Sequence, residues 1–126
     1  MYEFNINGMT YHIKECSTSE IYEAAKKDDP ELGENTFFFG LCRYAAHEIL
    51  INEDQEEEEK INTLRHEMTH CWLFNFGYRT AETFSQEALC DIVAACGKFV
   101  FDETKNYFTT KLEKTCKEIE EKLKES

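Results

Sequence analysis

Hydrophobic and polar residues alternate over the first part of the chain, and a period of two is typical of half-buried β-strands. The apolar members of this pattern are Tyr2, Phe4, Ile6, Met9, Tyr11 and Ile13. Asn7-Gly8 interrupts the alternation, and an Asn-Gly pair between two such runs favours a two-residue hairpin turn. The pattern therefore predicts an antiparallel β-hairpin at the start of the chain.

A helix and two more strands are predicted next. Ser17, followed three residues later by Glu20, matches a capping box, and the apolar spacing after it predicts a first helix over residues 18–28. Two short apolar runs, residues 37–42 and 48–51, predict two further strands. We expect these strands to join the hairpin in one sheet.

The helical period returns after Asn52. An acidic run at residues 56–59 suits the positive end of a helix dipole, so a helix is predicted to open near Asn52 or Asp54, with Gly77 as its cap. On this helix Ile61, Leu64, Met68 and Trp72 share one face, and His66 and His70 lie on nearly the opposite one.

Two more helices are predicted downstream. Thr83 with Gln86 forms a second capping box, and the helix after it is expected to bury Leu89, Ile92, Val93 and Cys96. A last helix over residues 106–124 carries a narrow apolar stripe that suits packing or pairing. The stripe consists of Phe108, Leu112, Cys116, Ile119 and Leu123. The whole pattern predicts one α+β domain, residues 1–126, with a small antiparallel or mixed sheet packed on helices.

Composition and charge narrow the possible partners. Hydrophobic residues make up 41% of the chain and aromatic residues 13%, which is enough for a packed interior. A formal net charge of −12 argues against direct binding of nucleic acid or of an anionic membrane surface. No apolar run approaches a membrane span, and Met1–Phe4 lacks the features of a signal peptide, so we expect a cytoplasmic protein. Its oligomeric state is not indicated by any pattern.

The cysteines do not form a recognisable metal-binding or disulfide framework. The chain has six, and no two of them are spaced as C-x-x-C. In a reducing compartment such residues are expected to be buried thiols.

The segment His66-Glu67-Met68-Thr69-His70 is the strongest chemical signal in the chain. Two histidines four residues apart stand one turn apart on the same face of a helix, where both imidazoles reach a single ion. Glu67 is turned to the side, where it reaches a water on the metal. The pattern H-E-x-x-H therefore predicts a zinc site with His66 and His70 as ligands and Glu67 as general base.

A catalytic zinc usually takes a third protein ligand. No histidine follows His70, so we expect a carboxylate, and the candidates are Glu82, Glu87 and Asp91. Glu87 is favoured, because it lies early in the helix that follows and off its apolar stripe. Asp91, one turn later, is the alternative ligand or an acceptor for the N–H of a ligand histidine.

Peptide hydrolysis is the reaction that this set of residues matches best. An extra hydrogen-bond donor for the oxyanion is sought in Tyr44, Tyr78 and Arg79. The strand at residues 48–51 comes shortly before the motif helix, so its edge is expected to receive an extended peptide by strand addition.

The segments around the motif resemble those of the ImmA/IrrE-like minimal zinc metallopeptidases. The similar stretches, which fall within residues 36–96, are Ile49–Asn52, Thr63–His70 and Glu87–Ala95. The resemblance implies a zincin-like fold with Glu87 in the position of the third-ligand glutamate. It also implies a specific protein substrate, such as a regulator of a mobile element.

Two other functions compete with a zinc metallopeptidase. The first is a catalytically silent zincin-like protein that holds a protein partner in the cleft or on the final helix. The second is a zinc hydrolase that acts on amides or esters other than peptides. Glu67→Gln separates the leading interpretation from the first, because it is expected to abolish cleavage and spare zinc binding.

Overall fold

The structure is a computed structural model that describes residues 1–78 and 84–125. Within these ranges the chain forms an α+β fold, as predicted, with a four-stranded sheet and three helices. The elements in chain order are β1 (Tyr2–Ile6), β2 (Met9–Cys16), α1 (Thr18–Asp28), β3 (Gly40–Arg43), β4 (Glu48–Asn52), α2 (Glu57–Asn75) and α3 (Gln86–Glu125).

The sheet is mixed, and its strand order is β1-β2-β4-β3. β1 and β2 form an antiparallel hairpin, β4 runs parallel to β2, and β3 returns antiparallel to β4. The prediction that the strand at residues 48–51 offers a free edge is wrong, because β4 has a strand on each side. The outer strand next to β4 is β3.

Two short-range signals are confirmed in detail. Asn7 and Gly8 both have positive φ angles, 47° and 82°, which a two-residue hairpin turn requires. Ser17 and Glu20 form the capping box of α1: the Ser17 hydroxyl accepts the Glu20 N–H, and the Glu20 carboxylate accepts the Ser17 N–H. Helix α1 spans the predicted residues.

The segment before β3 is ordered without being a strand. The predicted strand over residues 37–42 begins only at Gly40. The backbone carbonyl of Phe38 accepts a hydrogen bond from the Asn52 side chain, and that of Phe39 accepts bonds from the Asn52 N–H and from the Gln55 side chain. Asn52 is fully buried. These bonds hold residues 38–39 beside the end of β4.

The motif helix, α2, packs on the sheet through the predicted face. Leu64 and Met68 are fully buried in the main core. Gly77 follows the helix with φ 98°, the left-handed conformation of a helix-ending glycine, as predicted. Trp72 is half-buried and stacks on Phe76 at the end of the helix.

The two helices predicted after residue 83 are one continuous helix, α3. Its buried positions, Ile92, Cys96, Val100, Thr104 and Tyr107, follow one another every three or four residues across the predicted break. Gly97 in the interior costs only about 1 kcal/mol, and no proline interrupts the helix. Continuous packing of this face therefore carries the helix across the predicted break, and the helix extends beyond Tyr107, its last buried position. The predicted cap Thr83 lies outside the described residues, and the Ser85 hydroxyl accepts the Ala88 N–H at the start of α3.

The buried face of α3 differs from the prediction on one side. Ile92 and Cys96 are buried as expected, but Leu89 and Val93 are 51% and 57% exposed. The prediction for these two is wrong because the stripe that meets the core continues through Val100, and Leu89 and Val93 flank it. The distal stripe at Leu112, Cys116 and Ile119 is exposed as well.

The core lies between the sheet and the two long helices. Its fully buried members include Tyr11, Ile13, Ile49, Ile51, Leu64, Met68 and Cys71. A smaller cluster of Cys16, Ile21 and Leu50 packs under α1. In the described part of the chain, no helix has both the length and the apolar character needed to cross a membrane.

Candidate metal centre

The two motif histidines face one another on α2, as the spacing predicts. The Nε2 atoms of His66 and His70 are 3.2 Å apart, and their rings meet edge to face. Zinc–nitrogen bonds of about 2.0–2.1 Å at tetrahedral angles place two ligand nitrogens roughly 3.3–3.4 Å apart. The pair is therefore spaced to bind one ion through both Nε2 atoms.

Glu67 lies beside this pair and is buried. Its side chain is 10% exposed, and its Oε1 atom is 3.9 Å from Nε2 of His66. Burial raises the pKa of Glu67 to about 7, although a hydrogen bond from the backbone N–H of Cys42 acts in the opposite direction. A carboxylate that accepts and releases a proton near neutral pH suits general base and acid catalysis.

His66, Glu67 and His70 form a group that could hold a metal ion, because their ligand atoms all lie within 4.8 Å of one another. The Glu67 Oε1 atom is 3.9 Å from the His66 Nε2 atom, whereas an oxygen and a nitrogen bound to one tetrahedral zinc are roughly 3.3–3.5 Å apart. The longer distance agrees with the role of general base that the sequence predicts for Glu67.

The surroundings of His70 favour its neutral form. Burial lowers the pKa of His70, and the neighbouring charge of His66 lowers it further. A neutral imidazole has a free lone pair for an ion, so both effects favour the ligand state. Within the helix, the Thr69 hydroxyl donates to the Arg65 carbonyl, four residues earlier.

Gly40 brings β3 against the helix at this point. A Cβ atom at Gly40 would lie 2.6 Å from Cγ2 of Thr63 and 3.0 Å from Cγ of Glu67. Only a residue without a side chain allows this approach. It also places the Cys42 N–H, two residues further along β3, within reach of the Glu67 carboxylate.

An open cleft of about 580 Å³ leads to the motif. One wall is the segment Phe37–Gly40. The other is a face of α2 together with Gln55, which lies two residues before the helix. The members of this wall are Gln55, Glu59, Asn62, Thr63, His66 and Glu67. Gln55 bridges the two walls, because its amide donates to the Phe39 carbonyl and its oxygen accepts the Thr63 hydroxyl.

Two of the predicted third ligands, Glu87 and Asp91, are not grouped with the histidines. Glu87 and Asp91 are both exposed on the first turns of α3, and neither belongs to the cluster of His66, Glu67 and His70. Glu82 lies outside the described residues. The assignment of Glu87 as a ligand therefore stays a prediction.

Two of the predicted oxyanion donors, Tyr44 and Tyr78, lie within the residues that the structure describes. Burial, with nearby acidic groups, raises the pKa of Tyr44 to about 12, so its hydroxyl keeps its proton at neutral pH. Its ring stacks on Phe74 of α2 at 4.1 Å. Tyr78 packs between Trp72 and Phe84 beyond the end of α2. Arg79 lies outside the described residues.

The other two histidines have structural partners. His12 Nε2 is 3.0 Å from the Glu3 carboxylate on the neighbouring strand. His47 has φ 53° in the turn between β3 and β4, and its ring stacks on Tyr11. Both contacts give these two histidines a structural role away from the motif.

The sequence pattern did not identify Gly40, or the phenylalanines of the cleft wall formed by Phe37–Gly40, as parts of the site. The run Phe37-Phe38-Phe39-Gly40 looks like a buried strand, and a buried strand has no special use for a glycine. A signal was nevertheless present, since a glycine within a strand pattern often marks a close backbone approach.

Comparison of the chain with known protein families, with characterised proteins and with solved structures finds no match. The interpretation of the site therefore depends on its own geometry.

Proposed function

We propose that this chain is a zinc-dependent metallopeptidase that cleaves a specific protein substrate. The observation that carries the proposal is the 3.2 Å separation of the His66 and His70 Nε2 atoms next to a buried Glu67 carboxylate. Two imidazoles are ligands that zinc accepts readily, and the raised pKa of Glu67 suits proton transfer at neutral pH. The resemblance to ImmA/IrrE-like peptidases supports the same class.

In this proposal, His66 and His70 hold the ion, and a carboxylate such as Glu87 completes the set. Bound zinc supplies Lewis acidity, which activates a water near pH 7 and polarises a carbonyl. Glu67 takes the proton of the attacking water and delivers it to the departing amine. The N–H of Cys42 orients the Glu67 carboxylate for both transfers.

The cleft provides a place for an extended chain. It runs between the segment Phe37–Gly40 and one face of α2, and it ends at His66 and Glu67. β3 is an outer strand of the sheet and β4 is not. We therefore expect an extended peptide to add to β3 and to the segment that leads into it.

The experiment compares wild type with Glu67→Gln. The amide has the shape of the carboxylate but cannot accept the proton, so peptide cleavage is expected to fall by about 10²-fold or more. Zinc content, measured by metal analysis, and the unfolding temperature are expected to stay close to wild type. Equal cleavage by both proteins would contradict the role of Glu67.

A zinc-binding protein that holds a partner without cleaving it is the second candidate. The exposed apolar stripe on the distal half of α3 favours it, since Leu112 and Ile119 are 63% and 53% exposed. For this candidate, the wild type would cleave no peptide, and Glu67→Gln would retain partner binding.

A further inference from the structure

The cleft beside His66 has a preformed aromatic wall. Phe37 and Phe39 are 51% and 58% exposed, and their rings meet edge to face with centroids 4.9 Å apart. The backbone carbonyls of Phe38 and Phe39 are held by the hydrogen bonds from Asn52 and Gln55 described above. Because this backbone is fixed, the two rings offer apolar surface that needs little reorganisation to bind a ligand.

A carboxylate faces the same cleft from the opposite wall. Glu59 lines the cleft from the first turn of α2. It lies on the same face of the helix as Asn62 and His66, which follow further along the helix. Within residues 1–78 and 84–125, no cation is paired with Glu59. The nearby Glu57 carboxylate, in contrast, forms ion pairs with Lys60 and Lys111.

Apart from the histidine, the ionisable side chains of the cleft are acidic. Among residues 1–78 and 84–125, the ionisable side chains that line it besides His66 are those of Glu59 and Glu67, and no lysine or arginine of these ranges lines it. The chain as a whole carries a net charge of −12. At the Glu59 end of the cleft, away from the ion position at the histidines, this charge attracts a cationic side chain and disfavours an acidic one.

We propose that this cleft selects substrates with a lysine or arginine side chain close to the cleaved bond. The aliphatic stem packs on Phe37 and Phe39, and the cationic head pairs with Glu59. Long basic side chains combine an apolar stem with a charged end, which matches the two parts of the cleft. This inference rests on the proposed peptidase function and names its substrate class.

The distance along α2 limits the position of the basic residue. Glu59 precedes His66 by seven residues, which corresponds to about 10 Å of helix at about 1.5 Å per residue. An extended peptide advances about 3.3–3.6 Å per residue. The basic side chain therefore belongs to a residue about two or three positions from the bond that is cleaved.

The test measures binding with the Glu67→Gln protein, in which cleavage is blocked. The probes are fluorescent peptides of a Gly-Ala-Ser background with one lysine, norleucine or glutamate, and norleucine keeps the stem without the charge. The lysine peptide is expected to bind about fivefold tighter than the norleucine peptide. The glutamate peptide is expected to bind most weakly.

Further substitutions in that protein assign the two parts of the cleft. Adding Glu59→Gln is expected to remove the advantage of lysine and to leave the norleucine peptide unchanged. Adding Phe37→Ala with Phe39→Ala is expected to weaken both peptides. Glu58→Gln is the matched control, because Glu58 is the exposed acidic neighbour and does not line the cleft. It is expected to leave both affinities unchanged.

The outcomes separate this inference from the proposed function. Equal affinity for lysine and norleucine, or a lysine preference that survives Glu59→Gln, overturns the inference. If the wild type cleaves the peptides without such a preference, the peptidase stands and the inference falls. If the preference is present but the wild type cleaves nothing, the inference holds for a binding cleft and the peptidase proposal falls.

Discussion

Gly40 of β3 lies directly against Glu67 of α2. A Cβ atom at Gly40 would come 3.0 Å from Cγ of Glu67, and it would also lie 3.1 Å from the Leu50 carbonyl oxygen. The Leu50 carbonyl belongs to the backbone of the interior strand β4, so it cannot turn aside. The approach of β3 to the motif helix therefore depends on a missing side chain.

Gly40→Ala is expected to push β3 away from α2 and to destabilise the protein by about 1–3 kcal/mol, as overpacking does. It should also lower any peptidase activity, because the Cys42 N–H would move away from Glu67. Urea unfolding and a cleavage assay measure the two effects. Gly33→Ala is the control, since a Cβ there meets only Thr36 Oγ1, at 3.9 Å. Equal unfolding midpoints for the two variants would contradict the account.

A second prediction concerns Glu15, which links three elements. Its carboxylate accepts hydrogen bonds from Lys60 at 2.9 Å, from Lys111 at 2.8 Å and from the Tyr107 hydroxyl at 2.7 Å. Burial alone would raise the pKa of Glu15, but these three donors outweigh it and lower the pKa to about 2. The bonds join β2, α2 and α3.

A lowered pKa in the folded state gives stability that is present above the unfolded pKa of about 4.3 and is lost as the pH falls towards 2. The urea midpoint of wild type is therefore expected to drop over this range. Glu15→Gln should lower the midpoint at pH 7 and flatten its pH dependence. Glu3→Gln, which removes an exposed pair with His12, is expected to change little. Parallel pH profiles for wild type and Glu15→Gln would refute this role.

Features encoded by neighbouring residues could be predicted from the sequence. The turn at Asn7-Gly8 and the cap at Ser17 need only residues within one turn of them. The same holds for the facing of His66 and His70, which follows from helix geometry alone.

Features that depend on distant residues could not be predicted. The position of β4 inside the sheet and the continuity of α3 depend on packing between remote segments. Leu89 and Val93 match a buried stripe locally, yet the core meets the face beside them. The Glu15 contacts reach Tyr107, 92 positions away, and Lys111, which lies further along α3, and a single sequence carries no local pattern for such contacts.

A third prediction addresses the ligand that completes the zinc set. If Glu87 is that ligand, Glu87→Ala should weaken zinc affinity by more than about tenfold, and Asp91→Ala should have a smaller effect. Competition with a chromogenic chelator measures both affinities. Glu82→Ala is expected to bind zinc like wild type. A loss with Asp91→Ala and none with Glu87→Ala would transfer the assignment to Asp91.

The zinc content of the purified, folded protein at neutral pH tests the central claim most directly. Metal analysis is expected to find one zinc ion per chain in wild type and in His12→Ala, and much less in His66→Ala and in His70→Ala. X-ray absorption at the zinc edge should show imidazole nitrogens at about 2.0–2.1 Å. A folded wild-type protein that takes up no stoichiometric zinc, or one that keeps its zinc without His66 and His70, would contradict the account.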